Sequence, residues 1–307
     1  MKIYDCITFF DESLQANLRF NILYNHVEKF IICESKFDHK GHYKGVNFNI
    51  ENYKEFKNKI THLVIDKQFP DTSNPWKTQA FQREFIFNGL KNAKPEDYIM
   101  FSDPDEIPRP KILANLKLNK KFGIFLQKMF CYKLNVYNPH ESPWEGSRIC
   151  LKKNLKSIDF LRQKILKKNT RYPFWRIDKE KSIQPINEGG WHFNYLLEPE
   201  KISKKLKTFA HTEYSKDKFT NIDAIKGNIN GKRDLFNKGY KYYKVKLDNT
   251  FPDYILNNQH KFNKWIDQYV SKPLRARGPK TKEGFDIEKT MEGRIARDQK
   301  VAENSYI

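Results

Sequence analysis

The sequence is organised around Asp97-Tyr98-Ile99-Met100-Phe101-Ser102-Asp103-Pro104-Asp105-Glu106-Ile107-Pro108-Arg109-Pro110. The apolar run from Tyr98 to Phe101 predicts a buried strand that leads directly into a cluster of carboxylates. Residues two positions apart on an extended backbone point to the same side, so we expect Asp103 and Asp105 to share a face. The prolines that follow stop the strand from continuing.

Paired carboxylates at a strand end have two interpretations. They repel each other unless a cation lies between them, and oxygen ligands suit a hard divalent ion that also binds substrate phosphates. We therefore predict that Asp103 and Asp105 bind Mg²⁺ or Mn²⁺. The alternative is an acidic loop in which Asp103 caps a helix that begins near Pro108.

The composition indicates a folded protein with an ample core. The chain has 307 residues, and its 15% of aromatic residues argues against disorder although 31% of the residues are charged. No apolar run is long enough to span a bilayer, and residues 3–10 are typical of a core strand rather than of a signal peptide. Cys6, Cys33, Cys131 and Cys150 lack metal-ligand spacing and predict buried free thiols in a reducing compartment.

The formal net charge of +20 is the second strong signal. Charge of this sign suits nucleic acid, an anionic membrane surface or phosphorylated substrates. The sequence has no zinc-finger spacing, no basic-region heptads and no aromatic RNA-binding signature, so a nucleic acid partner is not expected. Many lysines fall on the polar faces of predicted helices, among them Lys201, Lys204, Lys205 and Lys207. We interpret most of the charge as a solvated surface and keep peripheral contact with an anionic membrane as an option.

Strands and helices alternate in the first half. Strands are predicted at residues 3–10, 29–34, 61–66 and 98–101, with helices between them. This order predicts an α/β fold with right-handed crossovers and a doubly wound, mostly parallel sheet. Ligands of such sheets bind beyond the carboxyl ends of the strands, where Glu34, Asp66, Asp103 and Asp105 fall. Because no Gly-rich phosphate loop is present, a metal would have to bind the phosphates.

The second half is less regular. Residues 123–136 alternate like a long strand or a hairpin, and residues 144–148 predict a tight aromatic and charged loop. The glycine pair Gly189-Gly190, directly before Trp191 and His192, allows either a sharp turn or a close approach to a ligand. Past residue 271 the sequence becomes rich in Lys, Arg, Gly and Pro, with a late helix around residues 287–295.

These motifs together resemble glycosyltransferase family 17. The resemblance rests on Ile3-Tyr4-Asp5-Cys6 with Phe9-Phe10, the strand ending at Glu34, Asp103-Pro104-Asp105-Glu106-Ile107-Pro108, Trp144-Glu145-Gly146 and Gly189-Gly190-Trp191-His192, and extends from Met1 to about His260. The acidic block followed by Gly-Trp-His is fairly specific, whereas Asp-x-Asp alone would be weak. The resemblance implies a GT-A fold, a UDP-sugar donor (UDP-GlcNAc by the family's best-known activity), a divalent cation and an inverting mechanism.

The resemblance also implies an organisation and a setting. We expect one GT-A-like catalytic domain at residues 1–270, with a Rossmann-like nucleotide-sugar half at 1–120 and an acceptor half at 121–270, and then a basic tail at 271–307. The acceptor would be a glycan or a glycolipid. The animal enzymes carry a membrane anchor and a stem that have no counterpart in this sequence, so we expect a cytoplasmic enzyme that touches the membrane at most peripherally.

Donor and metal candidates combine residue chemistry with the resemblance. Arg83, on the helix after Pro75, is either a solvated helix-face charge or a ligand of the diphosphate. A lone His192 would be a structural histidine, but the resemblance supports a metal or diphosphate role. Trp191 and Trp144 are either core aromatics or sugar-stacking platforms. The predicted metal ligands are Asp103, Asp105 and His192, and the predicted donor-binding residues are Glu34, Arg83, Asp103 and Trp191.

An inverting transfer also needs a carboxylate that takes the proton of the acceptor on the side of the sugar away from the diphosphate. We therefore look for the base in the second half, where an acceptor would lie. The candidates are Glu188 beside the glycine pair and Glu145 beside Trp144, with Glu213 behind them.

Two other functions fit part of the pattern. A metal-dependent nucleotidyltransferase also uses paired aspartates, although it would usually have a Gly-rich basic phosphate loop, which is absent. A basic nucleic-acid-binding module would show salt-dependent retention on DNA or RNA without binding UDP.

Overall fold

A ten-stranded mixed sheet runs through residues 1–208 and 214–268, which the computed structural model describes. Its strands are β1 (Ile3–Phe9), β2 (Lys29–Ser35), β3 (Ile60–Ile65), β4 (Tyr98–Ser102), β5 (Glu106–Pro108), β6 (Phe122–Cys131), β7 (Val136–Tyr137), β8 (Trp144–Leu151), β9 (Ile183–Asn194) and β10 (Tyr243–Lys244). The α-helices are α1 (Ser13–Leu23), α2 (Pro75–Phe85), α3 (Pro110–Ala114), α4 (Ile158–Gln163), α5 (Pro199–Thr208), α6 (Asp217–Thr220), α7 (Ile222–Asn230) and α8 (Asp253–Asn257).

Four parallel strands form the first half of the sheet, in the order β3-β2-β1-β4. Successive residues of β1 point to opposite faces: Ile3 and Ile7 join the apolar cluster with α1, whereas Tyr4 and Cys6 join the cluster with α4. Helices therefore cover both faces, which explains why these strands are mostly apolar. The prediction of an α/β, doubly wound fold is confirmed, and the strand order reverses between β1 and β4.

The second half joins this sheet mainly through antiparallel pairs. β8 pairs with β4 and β6, and β9 pairs with β5, while β6 and β9 run parallel. The predicted loop at residues 144–148 is wrong, because these residues begin β8. Ser147 is paired inside the sheet, where its hydroxyl accepts a hydrogen bond of 2.7 Å from Ser102.

The glycine pair lies inside β9 and not in a sharp turn, so that part of the prediction is wrong. The predicted close approach is to backbone: a Cβ on Gly190, whose φ is +134°, would lie 2.2 Å from the carbonyl oxygen of Ile107. A Cβ on Gly189 would lie 2.7 Å from the amide nitrogen of Leu126. The two glycines thus allow β9 to pack between β5 and β6 where the register of β6 and β9 shifts.

A buried ion pair fixes the connection between β4 and β5. Arg19 of α1 is fully buried and binds both carboxylate oxygens of Asp5, at 2.6 and 2.5 Å. The same guanidinium donates to the carbonyl oxygen of Glu106 and to the hydroxyl of Ser102. Since every one of these donors would be costly to bury unpaired, the network anchors the acidic turn to the first helix.

Several smaller expectations can be compared with the structure. The four cysteines are buried and unpaired, as predicted. Among the described residues, no helix has both the length and the apolar character needed to cross a bilayer. The late helix and the tail at 271–307 lie outside the described residues, as does Glu213, and the proposed domain boundaries stay a prediction.

Candidate active site

An open cavity of about 1610 Å³ lies at the carboxyl ends of β1, β2 and β4. Thr8 and Phe10 at the end of β1 and Asp103 after β4 line it, so it lies at the point where the strand order reverses. This is where open α/β sheets bind ligands. The second half supplies other parts of the lining, including Tyr137 and Lys238. Lysines and arginines outnumber carboxylates among the lining residues, which favours an anionic ligand.

The acidic block forms a tight turn and not an extended strand end. The amide of Glu106 donates to the carbonyl oxygen of Asp103 at 3.0 Å, which closes a turn over Pro104 and Asp105. The expected shared face on an extended backbone is therefore wrong, although both aspartates line the cavity. The alternative of a helix cap is wrong too, because α3 begins at Pro110 with Arg109 at its N-cap.

Asp105 faces His192 in the wall of the cavity. The two side chains are only 8% and 7% exposed, and Nε2 of His192 lies 3.4 Å from Oδ1 of Asp105. Burial raises the pKa of Asp105, but the charge and the hydrogen bond of His192 outweigh it and hold that pKa at about 2. Burial likewise lowers the pKa of His192, but Asp105 raises it more, and the net shift is upward. Nδ1 of His192 is buried without a hydrogen-bond partner among the described residues.

Arg162 of α4 connects Asp103 to Glu106. Its guanidinium forms ion pairs with the carboxylate of Asp103 and, at 3.0 Å, with that of Glu106. Burial lowers the pKa of Arg162, but the two carboxylates raise that pKa by a larger amount, so the guanidinium stays charged. Glu106 is fully buried and also accepts a hydrogen bond from the indole of Trp144 at 2.8 Å. Glu106 thus holds Arg162 and Trp144 at the cavity wall.

Trp144 and Arg83 lie at the cavity, as expected for donor or sugar contacts. Trp144 is half-buried, and its ring packs against His192 with centroids 5.1 Å apart. Arg83 is buried and forms an ion pair of 2.8 Å with Asp159, so it is not the solvated helix-face charge of the alternative. Its Nε is buried with no partner among the described residues. Both side chains can therefore contact a ligand, and their roles stay predictions.

Glu34 and Trp191, two predicted donor-binding residues, are not part of the cavity lining. The carboxylate of Glu34 is fully buried and accepts hydrogen bonds from the amides of Asn47 and Phe48 and from Lys44, so it fixes the loop after β2. Trp191 is buried in the core, where its indole donates to the carbonyl oxygen of Thr250. The structure therefore gives no support for the prediction that either side chain contacts the donor directly. Trp191 points away because its neighbour His192 takes the cavity side of β9.

The two proposed bases both line the cavity. Glu188 is 66% exposed and lies 3.6 Å from Arg109 and 3.8 Å from Lys128. Glu145 is 33% exposed, and one of its oxygens accepts a hydrogen bond of 3.0 Å from the amide of Lys167. Neither has an ion pair or hydrogen bond to the aspartates of the acidic turn among the described residues.

Lys205 was missed because its position in α5 looked solvated. Lys205 lines the cavity, and its ammonium group forms an ion pair of 2.9 Å with Glu12. Burial lowers the pKa of Lys205, but Glu12 and Asp105 raise it more, so it is a fixed positive charge near the acidic turn. Its spacing of three from the buried Ile202 was the available signal, since that spacing puts both residues on one side of a helix.

The side chains at the acidic turn fit a metal only if a ligand supplies part of its coordination. Asp105 and His192 form a close pair, while Asp103 is paired with Arg162. Among the described residues, no group of three His, Cys, Asp or Glu side chains is arranged to hold an ion. Mg²⁺ commonly takes one or two carboxylates together with waters and substrate phosphates. Because the pKa of Asp105 is about 2, its side chain is an ionised carboxylate of the kind that such a site needs.

A family model named glycosyltransferase family 17 matches residues 1–266. The chain belongs to glycosyltransferase family 17. The prediction of a glycosyltransferase is thus confirmed at the level of the family, and neither the nucleotidyltransferase nor the nucleic-acid-binding alternative is favoured.

Two mammalian enzymes are distant relatives of this family 17 chain. The β-1,4-mannosyl-glycoprotein 4-β-N-acetylglucosaminyltransferase of Homo sapiens is 23% identical over 321 residues, which cover 91% of this chain and 58% of the human one. The enzyme of the same name from Rattus norvegicus is 23% identical and covers 69% of this chain and 44% of its own length. The chain spans about half the length of these relatives.

Solved structures are similar at low identity. S. aureus TarS has a TM-score of 0.33 at 12% identity. The aligned part covers 75% of this family 17 chain and 43% of the TarS chain. Glucosyl-3-phosphoglycerate synthase from Mycobacterium tuberculosis, in complex with Mn²⁺, UDP and glucosyl-3-phosphoglycerate, has a TM-score of 0.34 at 12% identity and covers 83% of this chain and 91% of its own.

Proposed function

We propose that this family 17 chain transfers a sugar, GlcNAc in our reading, from a UDP-sugar to a glycan or glycolipid acceptor and forms a β linkage. The observation that carries the proposal is the cavity at the switch point of the sheet, with an ionised, buried Asp105 in its wall and a basic lining. An anionic nucleotide diphosphate matches that combination of charge and position.

The donor diphosphate would lie against the cationic part of the lining. Arg83 and Lys205 are positioned there by their pairs with Asp159 and Glu12, so their charge is held in place before a ligand arrives. Two buried atoms of the lining, Nε of Arg83 and Oε1 of Gln79, lack partners among the described residues. Buried polar atoms are normally hydrogen-bonded, so these two support a polar ligand at this end of the cavity.

A divalent cation, Mn²⁺ or Mg²⁺, would be held by Asp105, with Asp103 and His192 as further ligands. Bound there, it would neutralise the charge that develops on the leaving UDP. Asp105 contributes a fixed negative charge, and its carbonyl oxygen accepts a hydrogen bond of 2.8 Å from the amide of Phe193, which orients the turn. Arg162 neutralises Asp103 and also pairs with Glu106, so its guanidinium would still have a carboxylate partner if Asp103 turned to a metal.

The acceptor would enter from the side of the second half, where Glu145 and Glu188 lie. A single displacement needs one of them to take the proton from the attacking hydroxyl. Trp144 offers an aromatic face beside His192 on which a sugar ring can stack. The formal net charge of +20 also fits peripheral contact with an anionic membrane.

Release of UDP from a panel of nucleotide sugars tests this proposal. The panel includes UDP-GlcNAc, UDP-GalNAc, UDP-glucose and GDP-mannose, each with Mn²⁺, with Mg²⁺ and with EDTA, and slow hydrolysis reports the donor without a known acceptor. We expect release from a UDP-sugar, fastest from UDP-GlcNAc, and its loss with EDTA. Titration calorimetry with UDP and Mn²⁺ is the matching binding measurement. The absence of both UDP binding and release under all metal conditions would overturn the proposal.

A further inference from the structure

Three large apolar side chains stand out of the surface in one short loop. The loop, residues 171–182, connects the 3₁₀ turn Lys167–Arg171 to β9. Phe174 is 85% exposed, Trp175 65% and Ile177 93%. Exposed apolar residues are normal when they are scattered, but three within four positions form a patch of the kind that marks an interaction surface.

The loop is held in shape by hydrogen bonds, so this exposure is not that of a loose end. Lys181 donates from Nζ to the carbonyl oxygens of Phe174 and Arg176, at 3.1 and 2.8 Å. Arg176 forms a two-pronged ion pair with Asp178, at 2.7 and 2.8 Å, and its guanidinium lies over the ring of Tyr172. The phenyl and indole rings of Phe174 and Trp175 meet edge to face at 5.2 Å. The fold therefore presents these side chains to solvent in a defined arrangement.

Cations surround the base of the loop. Lys164, Lys167, Lys168 and Arg171 carry side chains for which no ion pair exists among the described residues, while Arg176 and Lys179 share one acid, Asp178. An aromatic and aliphatic tip with cations behind it is the arrangement of membrane-surface segments, since the rings enter the headgroup boundary while the cations meet lipid phosphates.

We propose that this loop is a membrane-docking element, which inserts Phe174, Trp175 and Ile177 into the interface of an anionic bilayer. Charge complementarity selects this occupant. A second copy of the chain, with its formal net charge of +20, would be repelled, and so would residues 271–282, which contain five lysines and arginines and no acid. Anionic lipid headgroups are attracted by the same cations and accommodate the rings.

The docking element lies next to the cavity. Lys167, Lys168 and Arg171 belong both to the base of the loop and to the cavity lining. Docking would therefore bring the cavity to the headgroup layer, where a saccharide carried by a lipid can enter. This last step rests on the proposed glycosyltransferase function, whereas the membrane contact itself does not.

Vesicle flotation of the full chain tests the docking. Neutral phosphatidylcholine vesicles are compared with vesicles that contain phosphatidylglycerol, at low and at high salt. The test variant combines Phe174→Ser, Trp175→Ser and Ile177→Ser. The control is Phe87→Ser, which changes an apolar residue that is 37% exposed elsewhere on the surface. A charge variant, Lys164→Glu, changes a cation at the base of the loop that is not part of the cavity lining.

We expect the wild type to float with anionic vesicles at low salt and to be released by salt. The triple variant should bind at least about tenfold more weakly, because three apolar side chains no longer enter the interface. The Phe87→Ser control should bind like the wild type, and Lys164→Glu should bind more weakly. Unchanged binding of the triple variant, or no wild-type binding to anionic vesicles, would overturn the proposal.

UDP release separates this proposal from the enzymatic one. The three substituted side chains lie outside the cavity lining, so release of UDP from a soluble donor should be the same in the triple variant and in the wild type. If the wild type binds vesicles through this loop but releases no UDP, the docking proposal stands and the proposed glycosyltransferase function fails. A folded triple variant that binds vesicles normally but has lost UDP release would place the loop in catalysis and overturn the docking role.

Discussion

Asp105 is the residue on which the proposed chemistry depends most. Its carboxylate is buried against His192, so Asp105→Asn is preferable to a truncation that would leave a hole. We expect Asp105→Asn to lower metal-dependent UDP release by roughly 10²–10³, the usual effect of removing one group that stabilises developing charge. Its pair with His192 is also lost, so the melting temperature should fall.

The two effects of Asp105→Asn can be separated by working below the thermal transition. If Asp105 is only a structural partner of His192, the folded variant will turn over normally and keep its Mn²⁺ requirement. Asp71→Asn is the matched control, because Asp71 is a surface carboxylate that pairs with Lys77 and is outside the cavity lining. Its UDP release should be unchanged.

We propose that the general base is one of two glutamates that line the cavity. Glu145→Gln and Glu188→Gln keep the shape of each side chain and remove its ability to accept a proton. The variant of the true base should lose kcat with little change in the Kd for UDP, because a base acts on the acceptor and not on the donor. Steady-state kinetics with an acceptor measures kcat, and calorimetry measures the Kd for UDP. If both variants keep kcat, neither glutamate is the base.

Glu34 acts on stability, and its contribution should depend on pH. Burial raises its pKa, but His62 at 3.5 Å, the hydrogen bonds from the amides of Asn47 and Phe48, and the charge of Lys44 lower it below that of an ordinary glutamate. A depressed folded-state pKa means that the stabilisation is fully present above the unfolded pKa of about 4.3 and is lost as the pH falls through the folded value. Glu34→Gln should therefore cost about 1–3 kcal/mol at pH 7, and less below pH 4.

Urea denaturation across pH 3 to 7 measures this difference. Glu96→Gln, at an exposed glutamate, is the control and should change little at any pH. If the difference in the free energy of unfolding between the wild type and Glu34→Gln is constant with pH, the charge of Glu34 is not the cause. The difference would then come from packing alone.

At the scale of the elements, β9 depends on a glycine that no other residue can replace. A Cβ at Gly190 would meet the carbonyl oxygen of Ile107 at 2.2 Å, and the φ of +134° is itself unfavourable for any other residue. Gly190→Ala should destabilise the chain by at least about 1–3 kcal/mol and displace β5, with the acidic turn before it. Thermal melting and UDP affinity measure the two effects.

Gly227→Ala is the matched control for this substitution. Gly227 lies in α7, and an added Cβ there meets no atom within 4 Å. The same chemical change should therefore stabilise the protein by about 1 kcal/mol, the helix-propensity difference between the two residues. Equal effects of the two alanines would show that β9 does not need the close approach.

The strands differ in how far their sequences reveal them. All five residues of β4 are buried, so local hydrophobicity was enough to predict it. β8 begins with Trp144, Glu145 and Gly146, and a Cβ on Gly146 would lie 1.7 Å from Oε1 of Gln127. Position 146 thus needs a glycine because the side chain of Gln127, on β6, fills the space that a Cβ would occupy. Because such partners are distant in the sequence, no local pattern could have identified β8.

At the scale of the whole molecule, the same limit applies to the candidate site. The sequence was sufficient to nominate Asp103, Asp105 and His192, because the strand ends and the motif order indicate them, and the structure brings all three to one cavity. Arg162 was not found, since its pairs with Asp103 and Glu106 span 59 and 56 residues. Long-range ion pairs decide which charges face a ligand, and spacing along the chain does not contain that information.

The last prediction concerns the configuration of the product. A cavity of about 1610 Å³ is larger than a typical small-molecule pocket of up to about 1,000 Å³, so it has room for a UDP-sugar and an acceptor together. Holding both reactants at once favours direct attack on the sugar by the acceptor. Since the sugar of the donor is α-linked to UDP, a single displacement from the opposite face gives a β-glycoside.

Proton NMR of the product tests this stereochemistry through the coupling between H1 and H2 of the transferred sugar. We expect the large coupling of a β-linked GlcNAc, and the α-linked donor in the same tube provides the reference for the small one. Mass spectrometry of the enzyme after incubation with donor alone is the second measurement. An α-linked product, or a sugar covalently attached to Glu145 or Glu188, would contradict single displacement, because a double displacement through either carboxylate returns the sugar to the α configuration.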